Sequence, residues 1–124
     1  MSKKHFTAKY DLEGEKLGLG VTVLLWEEGG VHFAMSPSLD ITGYGKTEAE
    51  AKASFEVMLQ EFVTYTHRKK TIFQELERLG WAVNRTRKRV VAPDMLDMIK
   101  ENDELKEVIN KDYRTYEQAV ELAL

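Results

Sequence analysis

Chemistry in this 124-residue chain would have to come from a few places. Glu27, Glu28 and Asp40 are carboxylates of the kind that hold divalent ions beside a scissile phosphate. Strand alternation sends Glu27 and Glu28 to opposite faces, however, and both precede Gly29-Gly30, a tip where solvated charge is normal. If that glycine pair closes a hairpin, His32 falls opposite Glu27, and the expected outcome is a cross-strand ion pair. His5 and His67 stand too far along the chain to complete a ligand spacing with it. Gly45-Lys46-Thr47 has the ending of a phosphate-binding loop, but Asp40 occupies the place of that loop's first glycine. No serine, histidine and carboxylate set shows an activating arrangement. Without cysteine there are no disulfides or thiolate metal sites. The expectation is a non-enzymatic chain with no catalytic residue, cofactor or metal.

Binding offers more candidates. Arg85, Arg87, Lys88 and Arg89 form a basic run that, together with His67, Arg68, Lys69 and Lys70 as a basic edge, would suit RNA or DNA phosphates. No aromatic is interleaved in either run, so base stacking is not indicated. The competing reading is a solvated hairpin, or one paired with the acidic end of the chain. Residues 1–92 hold 14 Lys+Arg against 12 Asp+Glu, while residues 93–124 hold 4 against 9. Trp26 and Phe33 are candidate partner-binding anchors, although an aromatic cross-strand pair is at least as often core.

The elements that would position these residues follow from periodicity. Alternation at Phe6, Ala8, Tyr10 and Leu12 indicates a strand, and a turn follows at 13–16. From Leu17 to Glu28 a long strand puts Leu17, Leu19, Val21, Val23 and Leu25 on one face. Gly29-Gly30 supplies the positive φ of a primed turn, and Val31–Ser36 returns. The implied register sets Glu28 opposite Val31, Glu27 opposite His32, Trp26 opposite Phe33, and Leu24 opposite Met35. Both faces of this hairpin are apolar, so both need a cover, and one helix cannot supply two. Residues 39–45 suit either a third strand or an extended loop.

Thr47-Glu48-Ala49-Glu50 is a capping box, and Ala51, Phe55, Met58, Leu59, Phe62 and Val63 form a helical stripe behind it. An unbroken helix over 47–79 would run roughly 50 Å, long for this domain, so a break is expected at 67–70. Thr71 to Gln74 repeats the capping-box pattern for a second helix ending before Gly80. A short strand at Trp81–Val83 resumes at Val90-Val91; two short helices meet near Asn102-Asp103; Val120, Leu122 and Leu124 suggest a terminal strand, though Glu117-Gln118-Ala119 also suits helix. The expected organisation is an α+β domain over 1–92 with an extension over 93–124. No run of about 18 apolar residues is present, and the expected setting is cytoplasmic, with no membrane partner.

The run from Trp26-Glu27-Glu28-Gly29-Gly30 through Ser36-Pro37, and then Gly43-Tyr44-Gly45-Lys46-Thr47-Glu48-Ala49-Glu50-Ala51, resembles the HicB family over roughly residues 17–83. The resemblance implies a β-β-β-α-β module, an antiparallel sheet with a helix on one face in a partial RNase H-like arrangement. It also implies an antitoxin that neutralises a HicA-like ribonuclease toxin by protein–protein binding. An orphan RNA-binding regulator without a toxin is the alternative. The family's Pro-Asp-Leu-Pro-Gly stretch is replaced here by Pro37-Ser38-Leu39-Asp40-Ile41-Thr42-Gly43, and Lys46 stands where an acidic residue is usual. Many relatives add a DNA-binding tail, but Asp103 to Asn110 is too acidic to lie on phosphates, so DNA is not expected there. Self-association as a dimer or higher oligomer is expected, because the second sheet face and the C-terminal strand both call for a cover.

Overall fold

The computed structural model describes residues 9–11, 16–87 and 89–123. The elements in chain order are β1 (Lys9–Asp11), β2 (Lys16–Glu28), β3 (Val31–Ser36), β4 (Ile41–Gly45), α1 (Glu48–Lys69), α2 (Ile72–Arg78), β5 (Ala82–Asn84), β6 (Arg89–Val91), α3 (Met95–Glu101), α4 (Asp103–Val108) and β7 (Arg114–Ala123). The fold is mixed α+β. Phe6, Ala8 and Leu12 of the expected first strand, and most of the turn after it, lie outside the described residues.

The 13-residue strand β2 organises a five-stranded antiparallel sheet. One edge pairs with β3 over Leu24–Glu28 and with β1 over Lys16–Gly18; the other pairs with β7 from Lys16 to Leu25. Gly29 and Gly30 take φ of 60° and 82°, as the two-residue turn requires. The observed register has Glu28 opposite Val31, Glu27 opposite His32, Trp26 opposite Phe33 and Leu24 opposite Met35, as the glycine pair implies. Residues 41–45 are a true strand, β4, paired with β3. Their approach to α1 is so close that a Cβ on Gly43 would stand 2.3 Å from Phe55 N.

Each face of the sheet has its own cover from within this chain. Leu17, Leu19, Val21, Val23 and Leu25 join Phe55 and Leu59 of α1, Leu76 of α2, Trp81 and Val90 in the larger core. Trp81 Nε1 donates to Ser38 O at 2.7 Å and ties the β5–β6 hairpin to the loop before β4. On the opposite face Leu24, Trp26 and Met35 pack with Leu105 and Val108 of α4. The 93–124 segment is therefore built into the sheet: α4 covers the inner part of one face, and β7 makes a ladder of ten residues. The need for a second cover, on which self-association rested, is met for the inner part of that face by α4.

Local stereochemistry fixes the helix ends. Thr47 Oγ1 accepts from Glu50 N at 3.1 Å, and Glu50 Oε2 accepts from Lys46 N at 2.9 Å, one residue before the amide a capping box usually reaches. α1 stops at Lys70, whose φ of 54° is left-handed, within the expected break. Thr71 does not cap α2: leaving Lys70 in that conformation it has φ −116° and ψ 12°, and its hydroxyl makes no cap bond. α3 and α4 are capped by Asp94, which accepts from Leu96 N, and Asn102, which accepts from Leu105 N.

Candidate functional site

The three carboxylates suited to a metal do not converge. Glu27 lies 3.3 Å from His32 Nε2, the expected cross-strand pair, and Glu28 lies 3.2 Å from Lys111 Nζ. Asp40 sits in the turn before β4 with φ 55°. Among the described residues no group of three or more His, Asp or Glu is placed to hold a metal ion. Gly45 is needed for packing, because a Cβ there would stand 2.4 Å from Glu50 Cβ and 2.9 Å from Ala51 N. That close approach accounts for glycine in the run that resembled a phosphate loop.

A cleft of roughly 180 Å³ opens where β7 begins alongside β2, lined by Leu25, Trp26, Glu27, His32, Phe33, Glu48, Asp112 and Arg114. Its volume is below the 300–1,000 Å³ typical of small-molecule sites. At its wall His32 Nε2 stands beside Glu27, and Arg114 pairs with Glu48. Glu48 also reaches Lys52, one helical turn on, at 3.7 Å. Asp112, which also lines the cleft, has no ion pair among the described residues.

The β5–β6 turn and the start of α2 meet through one contact. Arg85 places its guanidinium 4.8 Å from the centre of the Phe73 ring, on the first turn of α2 and three residues past Lys70. The β5–β6 turn therefore lies against the helix start that follows Arg68, Lys69 and Lys70. Arg85, Arg87 and Arg89 are all exposed, and Arg87 N bonds Asn84 Oδ1 within the turn at 3.0 Å. Lys88 lies outside the described residues. Phe73 is the member that sequence reasoning missed; it falls in neither basic run, and only the fold brings it to Arg85.

Trp26 and Phe33 face α3 and α4. Trp26 is 6% exposed and belongs to the core, while Phe33 is half-buried at its margin. Tyr44 continues the row, opposite Phe33 on β4, and is 67% exposed. Nothing in the local pattern pointed to Tyr44 in this role, because residues 39–45 were as compatible with a loop as with a strand.

The two long edges of the sheet differ. The Tyr44 N–H donates to Ser54 Oγ on α1 at 3.2 Å, so the β4 edge is partly closed. β7 has no further strand paired outside it among the described residues, and it runs for ten residues. No described helix is long and apolar enough to cross a membrane. No family model, curated protein or solved structure matches the chain.

Proposed function

We propose that this chain is a HicB-like, antitoxin-type binding module that acts without catalysis, by masking the active surface of a small HicA-like ribonuclease. The observation that carries the reading is the physical role found for the glycines and the helix-cap residues of the resemblance. Gly29-Gly30 sets the hairpin register, Gly43 and Gly45 let β4 lie on α1, and Thr47 and Glu50 start that helix. A hairpin, a third strand and a capped helix follow one another in the order the resemblance implies; the short strand after the helices, β5, pairs with β6 in a separate two-stranded sheet, and the strand that returns to the main sheet is β7. Self-association belongs to the same proposal, and the β7 edge is the surface available for it by strand addition. The proposed setting is the cytoplasm.

Co-expression with an adjacent HicA-like reading frame tests this. Rescue of growth and co-purification of the two chains in a defined ratio are expected; a toxin that stays active and separate overturns the proposal.

A second reading, an orphan RNA-binding regulator, is favoured by the Arg85–Phe73 contact, which sets the exposed arginines of the β5–β6 turn against the helix that follows Lys70. Filter binding over a salt series is its test. Replacing Arg85, Arg87, Lys88 and Arg89 by alanine should flatten the salt slope by roughly one unit for each phosphate that is no longer neutralised. No RNA affinity at low salt ends it.

A further inference from the structure

We infer that the α3–α4 layer, together with the outer end of the aromatic row, is a docking surface for a cationic protein that inserts an apolar side chain among its own lysines and arginines. This rests on the binding-module reading and gives it a place and a chemistry.

Packing on this face is complete at one end and unfinished at the other. Trp26, Phe33 and Tyr44 stand side by side across β2, β3 and β4, and exposure rises from 6% at Trp26 to 67% at Tyr44. α4 buries Leu105 and Val108 fully over the inner end. α3 buries no residue: Met95, Met98 and Ile99 are half-covered, and Leu96 is 56% exposed. α1, on the other face, buries Phe55 and Leu59. Exposed Leu96 and Tyr44 beside a half-covered layer suit an interaction site, and methionines adapt readily to a partner's shape.

The charge around it selects the partner. Asp97, Glu101, Glu104 and Glu107 are exposed on the same two helices and have no ion pair among the described residues. Lys106 is held by Asp103 at 3.3 Å, which leaves Lys100, among the described residues of these helices, as the cation without an ion pair. This rim repels nucleic-acid phosphates and would repel its own image across a two-fold axis. It attracts a basic protein surface and speeds the encounter in a salt-dependent way.

The test titrates the full chain with an inactivated HicA-like ribonuclease from the adjacent reading frame, by calorimetry at two salt concentrations. Leu96→Ser with Tyr44→Ser should weaken binding by about 30-fold, as removal of a central anchor does. Glu101→Lys with Glu104→Lys should weaken it by about tenfold and reduce its salt dependence. Both pairs change exposed residues, and unchanged melting curves confirm that they fold. Wild-type affinity in both folded variants overturns this inference and leaves the binding-module reading standing. No binding by the unaltered chain overturns both. Dimers of the chain alone that Leu96→Ser and Tyr44→Ser dissociate would overturn it in favour of a second copy.

Discussion

Trp26 of β2 stacks on Phe33 of β3 with ring centroids 5.0 Å apart and ring planes 14° apart. The contact is a consequence of the two-glycine turn, because a slip of one residue would send one ring to each face of the sheet. It also creates a demand. Two aromatic rings on a face opposite Leu25 and Ala34 need a second apolar layer, and Leu105 and Val108 of α4 provide it.

Removing that layer should be costly although it lies late in the chain. Leu105 is fully buried, so Leu105→Ala is expected to cost about 3 kcal/mol from forfeited transfer energy and the cavity left behind. Urea unfolding measures it. With Trp81 replaced by Phe so that Trp26 alone reports, indole emission should also shift to the red in Leu105→Ala. A cost under about 0.5 kcal/mol would mean that α4 does not seal this face.

Gly43 and Gly18 should respond in opposite directions to the same substitution. A Cβ on Gly43 meets Phe55 N at 2.3 Å and Ala51 O at 2.8 Å, both backbone atoms of α1 that cannot swing aside. Gly43→Ala is expected to lose about 3 kcal/mol or more as the helix is pushed off the strand. Nothing lies within 4 Å of a Cβ on Gly18, and Gly18→Ala should gain about 0.5 kcal/mol from lower unfolded-state entropy. Paired denaturation curves decide it.

These contrasts separate what is legible in the sequence from what is not. The hairpin register and the Thr47 start are local, set by turn chemistry and a cap, and each can be read from a few adjacent residues, whereas the break at Lys70 is read from the length an unbroken helix would have. The strand at 114–123 is visible as alternation, but alternation does not name a partner, and its pairing with β2 is a long-range choice. The identity of the second cover is hidden for the same reason: Leu105 and Val108 have a helical spacing that says they are buried, not against what. At Thr71 the pattern predicts a cap that the fold does not use, because the left-handed Lys70 aims the chain differently. Arg85 on Phe73 joins residues 12 apart through tertiary packing alone.

The two threonine caps provide a direct comparison. Thr47→Ala removes the acceptor for Glu50 N at a 22-residue helix and should cost about 1 kcal/mol. Thr71 Oγ1 is buried with no hydrogen-bond partner, so Thr71→Ala discards a desolvated hydroxyl and should cost nothing, with a gain of up to about 1 kcal/mol. Equal costs in chemical denaturation would show that Thr71 caps α2 after all.

Tyr116 links stability to alkaline pH. Burial first, and the nearby Glu56 carboxylate second, raise its pKa above the ordinary value of 10.0, and Lys52 Nζ lies 5.0 Å from the ring centre. The folded state therefore holds the phenolic proton more tightly than the unfolded chain. Stability from this difference is fully present below pH 10 and declines as pH rises through the unfolded value toward the higher folded one. Lysines titrate in the same range, so the informative quantity is the difference between the chain and Tyr116→Phe. The phenylalanine variant keeps the ring against the core at β7 but has no proton to lose. Its melting temperature should match the unaltered chain near neutrality within a few degrees and fall less steeply above pH 10. Parallel slopes from about pH 9 to 11 would mean that the phenol ionises as easily in the folded sheet as in the unfolded chain.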